Sequence, residues 1–154
     1  PYAQPMTLVT GVIDALHELG VQRLVVGTPY LDEVNTAEAE FLTAKGFEIL
    51  DIQGLNLETG TQMGQVTPAY WKQFALEIDS TDADAIFLSC GGIRSLEVVE
   101  EIEKHSGKPV ITSNQAQMWS CLRRAGIKDR LTGFGQIFQE PGRCISGSRT
   151  AKNE

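Results

Sequence analysis

Four short apolar runs alternate with helical patterns along this chain, and that alternation constrains its fold more than any other feature. Each run is too short for a helix and nearly continuously apolar, which is typical of a strand buried on both faces of a sheet. The runs lie at 23–27, 47–52, 85–89 and 109–112. Strands that alternate with helices pair in parallel through right-handed crossovers. The sequence therefore predicts an α/β fold, a four-stranded parallel sheet flanked by helices on both faces, as in flavodoxin-like or Rossmann-like lobes.

Five helices are predicted from apolar residues at helical spacing. They lie at about 7–19, 32–45, 67–78, 95–105 and 114–125. The second has an apolar stripe that is expected to face the core, made of Val34, Ala37, Phe41 and Leu42. The fifth is expected to begin at a cap formed by Asn114. Residues 54–66 are predicted to form a polar loop.

Residues 1–138 are expected to form a single lobe, because no repeat or linker interrupts the alternation. The 154-residue chain is long enough to bury a substantial core. Residues 139–154 are weakly patterned and are expected to form a disordered tail. Trp71 and Trp119 have apolar partners at helical spacing and are assigned to the core or to an interface.

Charge and residue usage exclude several classes of function. The net charge of −7 argues against nucleic acid or an anionic membrane surface as a partner. No apolar stretch approaches the ~20 residues of a membrane span. Three cysteines without C-x-x-C spacing favour free thiols and a cytoplasmic setting. No dinucleotide fingerprint follows the first strand, and His17 and His105 are far from other ligand types, so neither a cofactor nor a metal is expected.

Cys90 is the leading catalytic candidate. The third apolar run delivers this cysteine, with Gly91 and Gly92, to the start of a helical pattern. Backbone N–H groups and the helix dipole converge there and stabilise a thiolate or a bound anion. The glycines let the backbone approach a ligand closely, at the sheet edge where α/β proteins bind ligands. The alternative is a small buried residue at a strand end.

Three other side chains reach the same edge. The Tyr30 phenol can donate a hydrogen bond to a carboxylate or an enediolate, or its ring can simply cover a loop. Thr28 and Ser89 offer hydroxyl donors, although the sequence favours a local capping role for both. Of the other cysteines, Cys121 is assigned to the core and Cys144 to the tail.

Four stretches of the chain resemble the aspartate/glutamate racemase superfamily, on the branch of maleate cis–trans isomerase and arylmalonate decarboxylase. They are residues 19–26, 28–35, Ser89-Cys-Gly-Gly92 and 109–119. The likeness extends from about Thr7 to Phe138. It implies two similar α/β lobes that face each other across a cleft, each offering one cysteine to the substrate carbon. Proton transfer then needs no cofactor, because amides and a tyrosine stabilise the enolate-like intermediate.

By position, the resemblance assigns roles to several residues. Cys90 matches the second-lobe cysteine, Tyr30 the carboxylate-binding tyrosine, and Gly91 and Gly92 the amides that hold the anion. Asn56 is a candidate for the asparagine that binds substrate in isomerase members.

The resemblance also implies that the chain covers one lobe, with residues 127–138 as a return segment towards the other. By the same resemblance the first lobe is expected to be absent before Pro1, so the chain is expected to present half a site and to be inactive alone. An uncovered apolar face also favours a homodimer. The implied function is cofactor-independent isomerisation, racemisation or decarboxylation of a small mono- or dicarboxylate.

Two other functions remain open. The first is a non-catalytic domain that binds carboxylates or oligomerises. The second is a flavodoxin-like signalling domain, which is less supported because Asp32 and Glu33 are a single acidic pair.

Overall fold

The computed structural model describes residues 5–139 of the chain. Its four strands form one parallel sheet in the order β2-β1-β3-β4. The strands are β1 (Arg23–Thr28), β2 (Glu48–Gly54), β3 (Ala85–Leu88) and β4 (Val110–Thr112). Gly27 pairs with Leu88, and Leu88 pairs with Thr112, so the strands end at one level and the segments that follow them meet at one edge.

Six α-helices cover the two faces of this sheet, so the predicted fold class is confirmed. They are α1 (Leu8–Glu18), α2 (Asp32–Ala44), α3 (Gly60–Gln65), α4 (Pro68–Glu77), α5 (Val99–Ser106) and α6 (Ser113–Arg124). Short 3-10 turns occupy Leu96–Val98 and Gln136–Phe138. Between residues 5 and 139 no helix combines the length and the apolar character needed to cross a membrane.

Side chains that alternate along the strands divide the core into two layers. Val26 and Phe87 pack beneath α1 and α6, around the fully buried Trp119. Val25 and Ile86 point to the opposite face and pack beneath α4 and α5, around the fully buried Trp71. Both tryptophans are therefore core residues, as predicted.

Capping side chains change two of the predicted boundaries. The predicted loop at 54–66 contains α3, because Thr59 and Gln62 form a capping box at its start. The cap of α6 is Thr112 rather than Asn114. Thr112 has an extended backbone, and its hydroxyl accepts the N–H of Gln115.

The predicted stripe of α2 is mostly uncovered. Only Leu42 is buried, whereas Val34 is 46% exposed, Phe41 is 38% exposed and Ala37 is also exposed. Their burial was wrongly predicted, because no described element packs against this side of α2 and the stripe forms one wall of a groove.

Cys121 is exposed instead of belonging to the core. The buried stripe of α6 consists of Ala116, Trp119, Ser120 and Arg123. Cys121 follows Ser120 on the helix but lies outside this stripe, so its side chain points outward.

Residues 127–138 fold back onto the lobe. Glu103 of α5 accepts the N–H of Gln136 at 3.0 Å, and Ile137 and Phe138 are buried. The predicted tail, apart from Gln139, lies outside the described residues, as does Cys144.

Candidate active site

Cys90 occupies the turn that follows β3, at the edge where all four strands end. Its φ of 143° lies in a region that side chains other than glycine rarely adopt. Its N–H donates to the Ser113 hydroxyl at 3.1 Å, and Ser113 is the first residue of α6. The Asn114 amide also donates to the carbonyl of Gly91 at 3.0 Å. Two residues at the start of α6, directly after the neighbouring strand β4, therefore hold the Cys90 turn in place.

The sulfur of Cys90 accepts a backbone hydrogen bond. The N–H of Gly92 donates to Sγ across 3.2 Å. A donor aimed at a sulfur stabilises negative charge as that charge develops on the atom. Cys90 is only half-buried, and its sulfur therefore combines a fixed donor with access to the space in front of it.

A cavity of about 470 Å³ opens in front of Cys90, between α1 and α2. Apolar side chains of the two helices form its walls, among them Leu8, Val12 and Phe41. Its remaining lining residues are Tyr30, Glu38, Phe87, Ser89, Cys90, Gly91 and Ser113. A mostly apolar pocket with a few convergent polar groups is the usual form of a small-molecule site.

Tyr30 faces this cavity from the turn between β1 and α2. Its pKa is raised, first by burial, then by a hydrogen-bonding interaction with Cys90 and by the negative charges of Cys90 and Glu38. Ser89 opposes the rise. The phenol therefore keeps its proton at neutral pH and is a hydrogen-bond donor beside the sulfur.

Thr28 and Asn56 do not line the cavity. Thr28 is buried, donates its hydroxyl hydrogen to Oδ1 of Asn35 at 2.5 Å, and accepts the N–H of Tyr30 at 3.1 Å. Asn56 is exposed with a φ of 54°, and its N–H donates to the carbonyl of Tyr30 at 3.2 Å. Both residues therefore hold the backbone of Tyr30 in place. Gly92 is exposed at the rim and reaches the site through its bond to the sulfur.

Glu38 is a member of the cavity lining that sequence reasoning missed. Its carboxyl group lies on α2, and burial raises its pKa, while an interaction with the Ser89 hydroxyl opposes that rise. The signal was present in the sequence, because Glu38 shares the helical stripe of Val34, Ala37 and Phe41 and is the acidic member of an apolar face.

An anion in this site would meet neutral hydrogen-bond donors rather than cationic side chains. In the part of the chain that the structure describes, no lysine, arginine or histidine lines the cavity. Within the same residues, no three His, Cys, Asp or Glu side chains lie close enough to share a metal ion. A carboxylate in this cavity would therefore rely on amides and hydroxyl groups.

Comparison with known proteins supports the resemblance seen in the sequence. The family model for arylmalonate decarboxylase matches residues 3–138. Arylmalonate decarboxylase of Bordetella bronchiseptica is 33% identical over 138 residues, covering 87% of this chain and 57% of that protein. Maleate isomerase of Nocardia farcinica is 28% identical over 130 residues, covering 84% of this chain and 52% of that protein.

Solved structures agree with these relatives. A crystal structure of arylmalonate decarboxylase superposes with a TM-score of 0.79 at 32% identity, over 86% of this chain and 60% of the other. A mutant of the Nocardia farcinica maleate cis–trans isomerase, with a covalently bound succinylcysteine intermediate, superposes with a TM-score of 0.83 at 26% identity. That match covers 86% of this chain and 55% of the isomerase.

The chain spans little more than half the length of these curated relatives. The family match nevertheless runs through every strand and helix described above. The resemblance to the maleate isomerase and arylmalonate decarboxylase branch is confirmed, and the chain belongs to the arylmalonate decarboxylase family.

Proposed function

We propose that this chain carries one half of a cofactor-independent active site for small carboxylates, with Cys90 as the acid/base thiol. The observation that carries the proposal is the hydrogen bond from the Gly92 N–H to the Cys90 sulfur, beside the Tyr30 phenol and in front of an open cavity. The proposed reaction is the isomerisation, racemisation or decarboxylation of a mono- or dicarboxylate.

The proposed chemistry uses the donors at the rim of the cavity. A substrate carboxylate would accept hydrogen bonds from the Gly91 amide and the Tyr30 phenol, and the remainder of the substrate would lie against the apolar walls. Negative charge spreads onto the carboxylate oxygens when the neighbouring carbon loses a proton or CO₂. Fixed donors stabilise that charge more than they stabilise the starting carboxylate.

Cys90 would then complete the reaction at carbon. In a decarboxylation, the electrons of the broken C–C bond enter the enediolate, and the thiol gives its proton to the carbon. The resulting thiolate takes a proton from water to restore the starting state. In a racemisation, the thiolate removes the proton from one face, and a second group must return one to the opposite face.

The proposal of a half site rests on what the cavity exposes. Val9, Val34 and Phe41 are 44%, 46% and 38% exposed at its walls, an unusual surface beside a reactive sulfur. The relatives are also nearly twice as long as the matched region. We therefore expect a second lobe, or a second copy of the chain, to cover these walls, and we expect little turnover from the chain alone.

Protection of Cys90 from alkylation tests ligand binding in the chain itself. Phenylmalonate or maleate is expected to slow the reaction of Cys90 with iodoacetamide, measured by mass spectrometry of its peptide. Cys121 is an exposed reference thiol in the same molecule and should react at an unchanged rate. Equal rates with and without both ligands would contradict carboxylate binding at this cavity.

Turnover tests the catalytic role. Release of CO₂ from phenylmalonate and conversion of maleate to fumarate are measured for this chain and for the longest form of the protein that can be expressed. We expect Cys90→Ser to abolish any turnover and Cys121→Ser to leave it unchanged. If the ligands protect Cys90 but no form shows turnover, the domain is a carboxylate-binding module, the alternative function.

A further inference from the structure

Strand β4 donates two of its backbone N–H groups to buried side chains. It lies at the edge of the sheet and therefore has a neighbouring strand on one side only. The N–H of Val110 donates to Oε1 of Glu103 at 3.0 Å. The N–H of Thr112 donates to Oε1 of Gln115 at 2.9 Å. Both acceptors are buried, and they take the place of the acceptors that a further strand would offer to an edge.

The same two side chains bind the return segment. Nε2 of Gln115 donates to the carbonyl of Phe134 at 2.5 Å. The carboxylate of Glu103 accepts the N–H of Gln136 on both of its oxygens, each at 3.0 Å. A Cβ at Gly135 would lie 2.7 Å from Nε2 of Gln115 and 3.0 Å from Oε1 of Glu103. The return segment is therefore joined to both ends of β4 through side chains, and its backbone passes directly against them.

Gln115 uses both ends of its amide in this arrangement. Its Oε1 accepts from Thr112, the cap of α6, and its Nε2 donates to Phe134. The hydroxyl of Thr112 in turn accepts the N–H of Gln115 at 3.3 Å. Loss of either bond would leave a buried polar group unpaired, which is costly. One side chain thus fixes the start of α6 against the return segment.

The start of α6 holds the cysteine turn. Ser113 accepts the N–H of Cys90 at 3.1 Å. Asn114 donates to the carbonyl of Gly91 at 3.0 Å. Both residues lie in the first turn of the helix, whose backbone is fixed by the capping box at Thr112. The φ of 143° at Cys90 is strained, so the turn depends on contacts from outside it.

We propose that Gln115 is a positioning residue for Cys90, because it ties the return segment to the start of α6 and thereby fixes the turn that presents the sulfur. A fixed turn keeps the N–H of Gly92 on Sγ at 3.2 Å. The effect on catalysis rests on the proposed function, in which the sulfur exchanges protons with the substrate. The position of the turn is a property of this lobe and can be measured without turnover.

Hydrogen exchange at two amides of the turn tests this role in the 154-residue chain. The N–H groups of Cys90 and Gly92 are both hydrogen-bonded, so both exchange faster when the turn opens. Gln115→Met keeps a side chain of similar length and removes both amide contacts. We expect exchange at the two amides to speed up by about fivefold to tenfold.

Asp84→Asn is the control for a general loss of stability. Asp84 accepts the N–H groups of Gln22 and Arg23 at the opposite end of the sheet. Its substitution should therefore weaken the fold without opening the cysteine turn. The amides of Cys90 and Gly92 should exchange at the wild-type rate in this variant.

Gly135→Ala perturbs the same contact from the return segment. The added Cβ would overlap Nε2 of Gln115, so exchange at Cys90 and Gly92 should again speed up. Gly133→Ala has a similar φ but nothing within 4 Å, and the turn should not respond to it. Circular dichroism verifies that each variant is folded, and Gly135→Ala decides the question if Gln115→Met does not fold.

The outcomes separate this inference from the proposed function. Wild-type exchange at the turn in both Gln115→Met and Gly135→Ala would overturn the inference. Equal acceleration in Asp84→Asn would also overturn it, because Gln115 would then support only the stability of the fold. If exchange changes as expected but carboxylates neither protect Cys90 nor turn over, the proposed function fails and the positioning role remains.

Discussion

The hydroxyl of Ser113 accepts the backbone N–H of Cys90 across 3.1 Å, although 23 residues separate them in the chain. Ser113 is itself fully buried at the first position of α6. One contact thus joins the ends of β3 and β4 and holds the cysteine turn in its unusual backbone conformation.

Ser113→Ala is expected to loosen that turn. The partly buried N–H of Cys90 would lose its acceptor, which costs about 1 kcal/mol of unfolding free energy. Urea denaturation measures this loss, and alkylation of Cys90 should change while alkylation of Cys121 does not. Thr36→Ala, on the exposed side of α2, should stay within about 0.5 kcal/mol of wild type. Equal stability of Ser113→Ala and wild type would show that the turn does not depend on this bond.

Cys90→Gly is expected to be more stable than Cys90→Ala. Glycine adopts the φ of 143° without strain, whereas alanine keeps the strain that cysteine bears. Relief of strain outweighs the greater entropy of glycine in the unfolded chain, and we expect a net difference of about 1 kcal/mol. Thermal and urea denaturation of the two variants measure it. A more stable alanine variant would contradict a strained cysteine.

Gly135→Ala is expected to detach residues 127–138 from the lobe. At Gly135 φ is 81°, and an added Cβ would lie 2.6 Å from Cγ1 of Val99 and 2.7 Å from Nε2 of Gln115. Both strain and overlap oppose the change, and a loss of about 2–4 kcal/mol is expected. Gly133 has a similar φ of 92° but nothing within 4 Å, so Gly133→Ala isolates the strain. Hydrogen exchange should speed up at Ile137 and Phe138 in the first variant only.

Asp84 should stabilise the lobe above the acid range. Its carboxylate accepts the N–H groups of Gln22 and Arg23 and pairs with the Arg23 guanidinium, and these donors lower its pKa, the backbone bond from Arg23 most of all. The pKa of Asp84 is lower in the folded chain than in the unfolded chain. This stabilisation is therefore complete at pH values above the pKa of the unfolded chain, about 3.9, and is lost as the pH falls through the pKa of the folded chain.

Asp84→Asn tests that dependence. Because the pair is only partly buried, the loss at neutral pH is expected to be only about 1 kcal/mol. The difference from wild type should shrink as pH falls below about 4, measured by urea denaturation. A difference that persists unchanged into acid would assign the effect to packing rather than to charge.

Val34→Glu tests the proposed homodimer. If the wall of the cavity formed by α2 is the paired surface, a charge there should weaken self-association by about tenfold or more. Sedimentation velocity over a dilution series measures the change, with Ile127→Glu as the control at another exposed apolar position. A wild-type chain that is monomeric at every concentration would exclude the homodimer.

The sequence alone determined the sheet and the position of the cysteine. Short apolar runs such as 85–89 can be buried only as central strands, so their alternation with helices leaves few topologies. The carboxyl ends of parallel strands share one edge, and the neighbourhood of Tyr30 and Cys90 could therefore be inferred without coordinates.

Only the tertiary structure decided which polar groups surround the sulfur and which apolar residues stay uncovered. Glu38 and Ser113 reach the site from different elements. The spacing of apolar residues along a helix does not reveal whether another element packs over that helix. For the same reason, the apolar stripe of α2 is compatible both with a face buried in the core and with the wall of an open groove. Periodicity records a preference for apolar surroundings, whereas the chain segments that supply those surroundings are set by long-range packing.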